Sequence, residues 1–151
     1  MSSVNDRHIA VLNGLIETTL DSADGYKEAA NSAKNPAFKT LFERRSMERH
    51  QLTAELQAEV RRLGGEPADD GTTLAAAHRM FLNLKNAVTG SDESVVNEVE
   101  AGEDHIKAKF EDALAGGDLP APVRETVTRV YARVKEGHDQ MSGLKHSLAA
   151  H

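Results

Sequence analysis

Residues 64–91 read GGEPADDGTTLAAAHRMFLNLKNAVTGS, and the topology of the whole chain turns on this connection. Gly64-Gly65 stops the helical window before it, Glu66 to Gly71 reads as an exposed loop, and Thr72 or Thr73 can cap a short helix that Gly90 ends. That helix, over about 73–89, carries Leu74, Ala77, Phe81, Leu84 and Val88 along one side. Ser91 caps the window that follows.

Working outward, apolar residues three and four apart mark a helix over about 5–33, with Ile9, Leu12, Ile16, Ala23, Tyr26 and Ala30 in its stripe. Asn35-Pro36 supplies an N-cap and a proline at the first helical position of a second helix, about 36–63, whose stripe is Phe38, Phe42, Leu52, Leu56, Val60 and Leu63. Downstream, a helix over about 92–115 carries Val96, Val99, Glu103, Ile106, Phe110 and Leu114 and closes at Gly116-Gly117. After Leu119-Pro120 the last helix, about 121–148, carries Val123, Val127, Val130 or Tyr131, Val134, His138, Met141 and Leu148. Tight turns make the first and second helices, and the third and fourth, antiparallel neighbours. The connection 64–91 is long enough to climb back along the assembly, which makes the second and third parallel. Two hairpins joined by one long crossover is the ferritin-like arrangement of a four-helix bundle. The expected fold is therefore all-α, a single domain over 1–151 with a short extra helix in the crossover; the rival is a five-helix array in which 72–89 is an equal partner.

Composition agrees and excludes several chemistries. Apolar residues are 39% of the chain and aromatics only 4%, too few aromatics for a sandwich or barrel of strands. The absence of cysteine removes disulfides, thiolate zinc, iron–sulfur clusters and a cysteine nucleophile. No apolar run approaches the roughly 20 residues that span a bilayer, and the opening Met-Ser-Ser-Val-Asn-Asp lacks the pattern of a signal peptide, so a cytoplasmic protein is expected. A net charge of −6 with both signs scattered argues against nucleic acid and membrane surfaces as partners. Arg44-Arg45 and Arg61-Arg62 are flanked by Glu43, Glu48, Glu55 and Glu59 and read as a solvated face.

The segments LNGLIETTLDSADGY (12–26), LQAEVRRLGG (56–65), Gly102-Glu103-Asp104 and His138-Asp139 resemble a bacterial family of small ferritin-like four-helix-bundle proteins classed as a domain of unknown function. The resemblance runs from about Asp6 to Leu144. It implies the fold, a bacterial source and kinship with di-iron carboxylate proteins, and it implies no reaction, because the family has none established.

A di-iron bundle needs a Glu from each of two helices and Glu-x-x-His from each of the other two, converging on a pair of bridged ions. The second helix has His50, but Met47 stands three before it, and Glu48 is followed three later by Gln51. The fourth helix has His138 with Lys135 three before it. Glu103 lies squarely in its stripe, Glu17 lies beside its own, and Glu17, Glu48, Glu103 and His138 are what remains of a ligand set. No cofactor is expected on this reading; iron or another divalent metal belongs to the alternative.

Glu103 in an apolar stripe is costly unless a cation meets it. Extending the second helix's stripe backwards from Leu56 and Leu52 places Arg49 and Arg45 on the same line. Arg49 is 13 residues beyond Pro36 and Glu103 is 11 beyond Asp92, so in parallel helices their depths differ by about 3 Å. A buried Arg49–Glu103 pair is thus expected where relatives would hold metal, against a surviving metal site or a stripe displaced by one step. His138 is expected to be a hydrogen-bonded core residue, with Tyr131 or Tyr26 as its partner. His8, His146 and His151 are expected near frayed ends, His78 and His105 fall at the edges of their stripes so that no pair has ligand geometry, and no HExxH, phosphate-cradling loop or Gly-x-Ser-x-Gly elbow is present.

Three function classes follow. The favoured one is a non-catalytic bundle with a structural, stress-associated or partner-binding role; the second is a metalloprotein or oxidase-like enzyme with a depleted carboxylate and histidine site; the third is an oligomerisation or adaptor module built on Leu74 to Val88. Met80 and Leu82 widen that helix's apolar side beyond one groove, so a homodimer is expected.

Overall fold

The computed structural model describes residues 3–69 and 92–149, with side chains from residue 5 onward. The short helix expected over 73–89 lies outside the described residues. Those that are described form four helices and no strand: α1 (Ser3–Ser32), α2 (Pro36–Arg62), α3 (Asp92–Ala115) and α4 (Ala121–Ala149).

Local chemistry fixes the helix ends where the breakers stand. The side chain of Asn35 accepts a hydrogen bond from the Ala37 amide at 2.9 Å, and Pro36 occupies the first position of α2, where a missing N–H costs nothing. At the other end Gly64 takes φ of 86°, a left-handed conformation that suits glycine. This lets the Gly65 amide reach Val60 O and the Gly64 amide reach Arg61 O, each at 3.0 Å, which satisfies two of the last carbonyls. Gly117 does the equivalent after α3, with φ of 70°.

Helix directions follow from which residues share a core. Phe42 near the start of α2 packs in one cluster with Val95, Val96 and Val99 near the start of α3. Leu56 and Val60 near the end of α2 share another with Ile106 and Phe110 farther along α3. Asp92, at the head of α3, accepts the amides of Lys34 and Asn35 at 2.8 and 2.9 Å, so α3 begins beside α2. The second and third helices are therefore parallel. Each long helix packs against two others: α1 against α2 and α3, and α4 against α3 and α2. The helices α2 and α3 thus lie diagonally across the centre.

The crossover begins as the parallel arrangement requires. A Cβ on Gly65 would meet Ile9 Cδ1 at 2.7 Å, so the chain leaves α2 pressed on α1. The side chain of Asn13 then accepts the Ala68 amide at 2.8 Å and donates to Glu66 O at 3.1 Å, and Gln57 donates to Ala68 O at 2.9 Å. The backbone has by then turned back along α1 and α2.

Two apolar cores fill the interior, and a polar layer separates them. On α1 the order is Leu12 and Ile16, then Thr19, Ser22 and Ala23, then Tyr26, Ala29 and Ala30. Arg49 on α2, Glu103 on α3 and Gly137 on α4 fall at the same level, between residues of the two clusters on every helix. The candidate site is this layer.

A buried charge pair at the centre of the bundle

Arg49 and Glu103 meet through two parallel hydrogen bonds, Nη1 to Oε1 and Nη2 to Oε2, each 2.7 Å long. Their side chains are 0% and 2% exposed. This is the planar fork that matches guanidinium to carboxylate, and it spans the diagonal from α2 to α3. A third bond, from Arg49 Nη1 to Ser22 Oγ at 2.7 Å, ties the fork to α1. The guanidinium also lies over the ring of Tyr26, 5.4 Å from its centroid. Burial works against the charge on Arg49, but the Glu103 carboxylate outweighs it and raises the pKa above the ordinary guanidinium value. The Tyr26 hydroxyl is buried beside the Glu103 carboxylate. Its burial, and next the Glu103 charge, push its pKa well above the usual phenol range, so it stays protonated.

The surrounding hydroxyls are used up locally. Ser46 Oγ donates to Ala23 O at 2.8 Å, Thr53 Oγ1 to Arg49 O at 2.8 Å and Thr19 Oγ1 to Leu15 O at 2.6 Å. Arg45 flanks the layer, giving Nε and Nη2 to Gln140 Oε1 at 2.9 and 2.7 Å and Nη1 to Glu48 Oε1 at 2.8 Å.

Gly137 completes the layer from α4. A Cβ there would lie 2.5 Å from Arg49 Nη2, 3.1 Å from Glu103 Oε2 and 3.6 Å from Arg45 Nη1. The space that a side chain would take is filled by the charge pair. Sequence reading missed Gly137 and Ser22; the available signal was a glycine inside a helix, on the line from Val134 to Met141, at a cost of about 1 kcal/mol relative to alanine.

The other expected ligands do not converge on Glu103. The Glu48 carboxylate is turned to Arg45, and Glu17 is half-buried on α1 with no bond to Glu103 or His138. The inward position that the sequence gives to His138 belongs to Gly137, one residue earlier, because spacings of three and four from Val134 and Met141 both suit a helix. His138 instead stands half-buried at the α3–α4 edge, and its partners are neither Tyr26 nor Tyr131. Its Nε2 lies 2.6 Å from Asp104 Oδ1 and its Nδ1 3.1 Å from Asp139 Oδ1, while Tyr131 donates to Glu111 at 2.6 Å. Burial lowers the His138 pKa, and the bonds to Asp139 and Asp104 more than offset that, leaving it raised. Two further expectations are corrected. His8 is buried within α1 rather than lying at a loose end. Glu59 is buried rather than solvated, accepting Arg62 Nη1 and Thr126 Oγ1, each at 2.8 Å.

A di-metal centre does not fit these residues. Both oxygens of Glu103 are occupied by a guanidinium whose charge would face any cation placed there, and no imidazole of the described residues points into the layer.

Residues 7–116 match the model of a family described as a domain of unknown function, DUF2383. No curated protein matches the chain.

Proposed function

The chain belongs to the DUF2383 family, whose description carries no reaction, and on that premise we propose a ferritin-like bundle whose metal centre has been replaced by the Arg49–Glu103 pair. In this reading the protein catalyses nothing and serves a structural, stress-associated or partner-binding role in a bacterial cytoplasm. The observation that carries it is the two-pronged bond between Arg49 and Glu103 at 0% and 2% exposure. A permanent guanidinium cation bonded to both oxygens of the carboxylate repels any metal ion placed beside it. The absence of both Glu-x-x-His motifs supports the same reading. No described helix is long and apolar enough to cross a membrane.

Elemental analysis tests it directly. The full chain, purified without chelator from cells supplied with iron, manganese and zinc, should carry less than two metal equivalents, and Glu103→Gln should leave its metal content unchanged. Two equivalents of iron that vanish in Glu103→Gln would overturn the proposal and restore a di-iron reading.

A further inference from the structure

Behind the central pair, on the outer edge where α3 meets α4, lies a second constellation that the central reading does not use. Glu100 and Asp104 stand one turn apart on α3, His138 faces them from α4, and one ligand atom from each lies within 4.8 Å of the others. Glu103 sits between the two acids in sequence, but its carboxylate turns inward to Arg49, so the edge group and the central pair use neighbouring faces of α3.

Three features separate this group from an ordinary surface ion pair. An imidazole nitrogen and two carboxylate oxygens from two packed helices form a mixed set of the kind that divalent transition metals take, with the solvent side open for water. His138 is held at its other ring nitrogen by Asp139, at 3.1 Å, which fixes the ring with Nε2 toward the acids. That carboxylate–histidine arrangement is the usual support behind a metal-bound imidazole. Glu100, finally, is 8% exposed although it lies beside another carboxylate. Lys145 Nζ reaches Glu100 Oε2 at 3.0 Å and neutralises one charge. Lys135 Nζ likewise reaches Asp139 Oδ2 at 2.9 Å, so two of the three carboxylates, Glu100 and Asp139, are already paired with lysine.

We propose that Glu100, Asp104 and His138 bind one divalent transition-metal ion at the α3–α4 edge, with Asp139 as the positioning residue for His138. The remaining coordination positions are taken by water, and Lys145 either stays on Glu100 Oε2 or swings into solvent. The nitrogen ligand selects zinc or ferrous iron over calcium and magnesium, which prefer oxygen throughout. The ion lies outside the layer that holds Arg49 and Glu103, so this proposal can fail without affecting the reading of the central pair, and the reverse holds too.

Zinc(II) is the probe, titrated into the metal-free full chain in competition with a chromophoric chelator, with helical circular dichroism recorded for each variant. One equivalent should bind. His138→Gln and Asp104→Asn should each weaken it at least tenfold, and Asp139→Asn about tenfold through the loss of ring orientation. His105→Gln, an exposed histidine next to Asp104 in the chain, should bind as the wild type does. Asp104 is exposed, so its variant decides the matter even if His138→Gln loses its fold. No zinc binding, wild-type affinity in Asp104→Asn, or an equal loss in His105→Gln would each overturn the proposal.

Discussion

A methyl group on residue 137 would sit 2.5 Å from Arg49 Nη2, and the consequences of that distance depend on how tightly the guanidinium is held. The end of an arginine usually swings away at little cost. Here Glu103 and Ser22 grip it and no solvent is within reach. Gly137→Ala should therefore lose more from the displaced pair than the roughly 1 kcal/mol it gains in helix propensity, for a net destabilisation of about 1–3 kcal/mol in urea denaturation. With Arg49→Met in the background the same substitution should become neutral or stabilising, because the group it displaces is gone. Ser22→Ala should cost about 1–3 kcal/mol by removing an acceptor from a buried charged donor. Arg49 and Glu103 were legible in the sequence because depth along two parallel helices can be counted from their starts. Ser22 and Gly137 were not, since the count gives depth and not azimuth, and a glycine leaves no side chain to be read as a partner. His138 shows the same limit, displaced by a single step around α4.

At the scale of elements, the start of α2 and the ends of α2 and α3 were readable because capping chemistry is local: Asn35-Pro36, Gly64, and the glycines after α3 stand where the helices start or stop. What the sequence could not show is that Asp92 does more than begin α3. Its carboxylate takes the amides of Lys34 and Asn35, fastening the third helix to the turn between the first two. Asp92→Ala should lower stability by about 1 kcal/mol, read as a lower urea midpoint. Asn35→Ala should cost a similar amount through its lost cap. Gly64→Ala should cost about 1 kcal/mol by placing a Cβ in a left-handed turn. Glu59 escaped the sequence reading because α2 faces both α1 and α4, so its buried surface is wider than one stripe. Thr126 on α4 and the neighbouring Arg62 give that carboxylate its partners.

Across the whole molecule, the polar layer joins the two helices that packing leaves diagonal. Apolar contacts hold α1 to α2 and α3 to α4 within each hairpin, and they are not directional. The forked bond from Arg49 to Glu103 works only at one relative height of α2 and α3, so we assign it the role of fixing the register between hairpins. The sequence of 73–89 adds an expectation at this scale: Met80 and Leu82 lie beside the apolar line of Leu74 to Val88. Leu82→Glu should convert a dimer to a folded monomer by light scattering with helicity retained; a wild-type chain that is monomeric at high micromolar concentration would give those residues another purpose.

The most direct measurement is a double-mutant cycle on Arg49 and Glu103, followed by urea denaturation of the full chain. Arg49→Met and Glu103→Leu should each destabilise by roughly 3 to 5 kcal/mol, because each strands a buried charge, whereas the double substitution should recover much of that loss. Single losses below about 1 kcal/mol, or losses that simply add in the double variant, would show that the centre of the bundle is not organised by this pair.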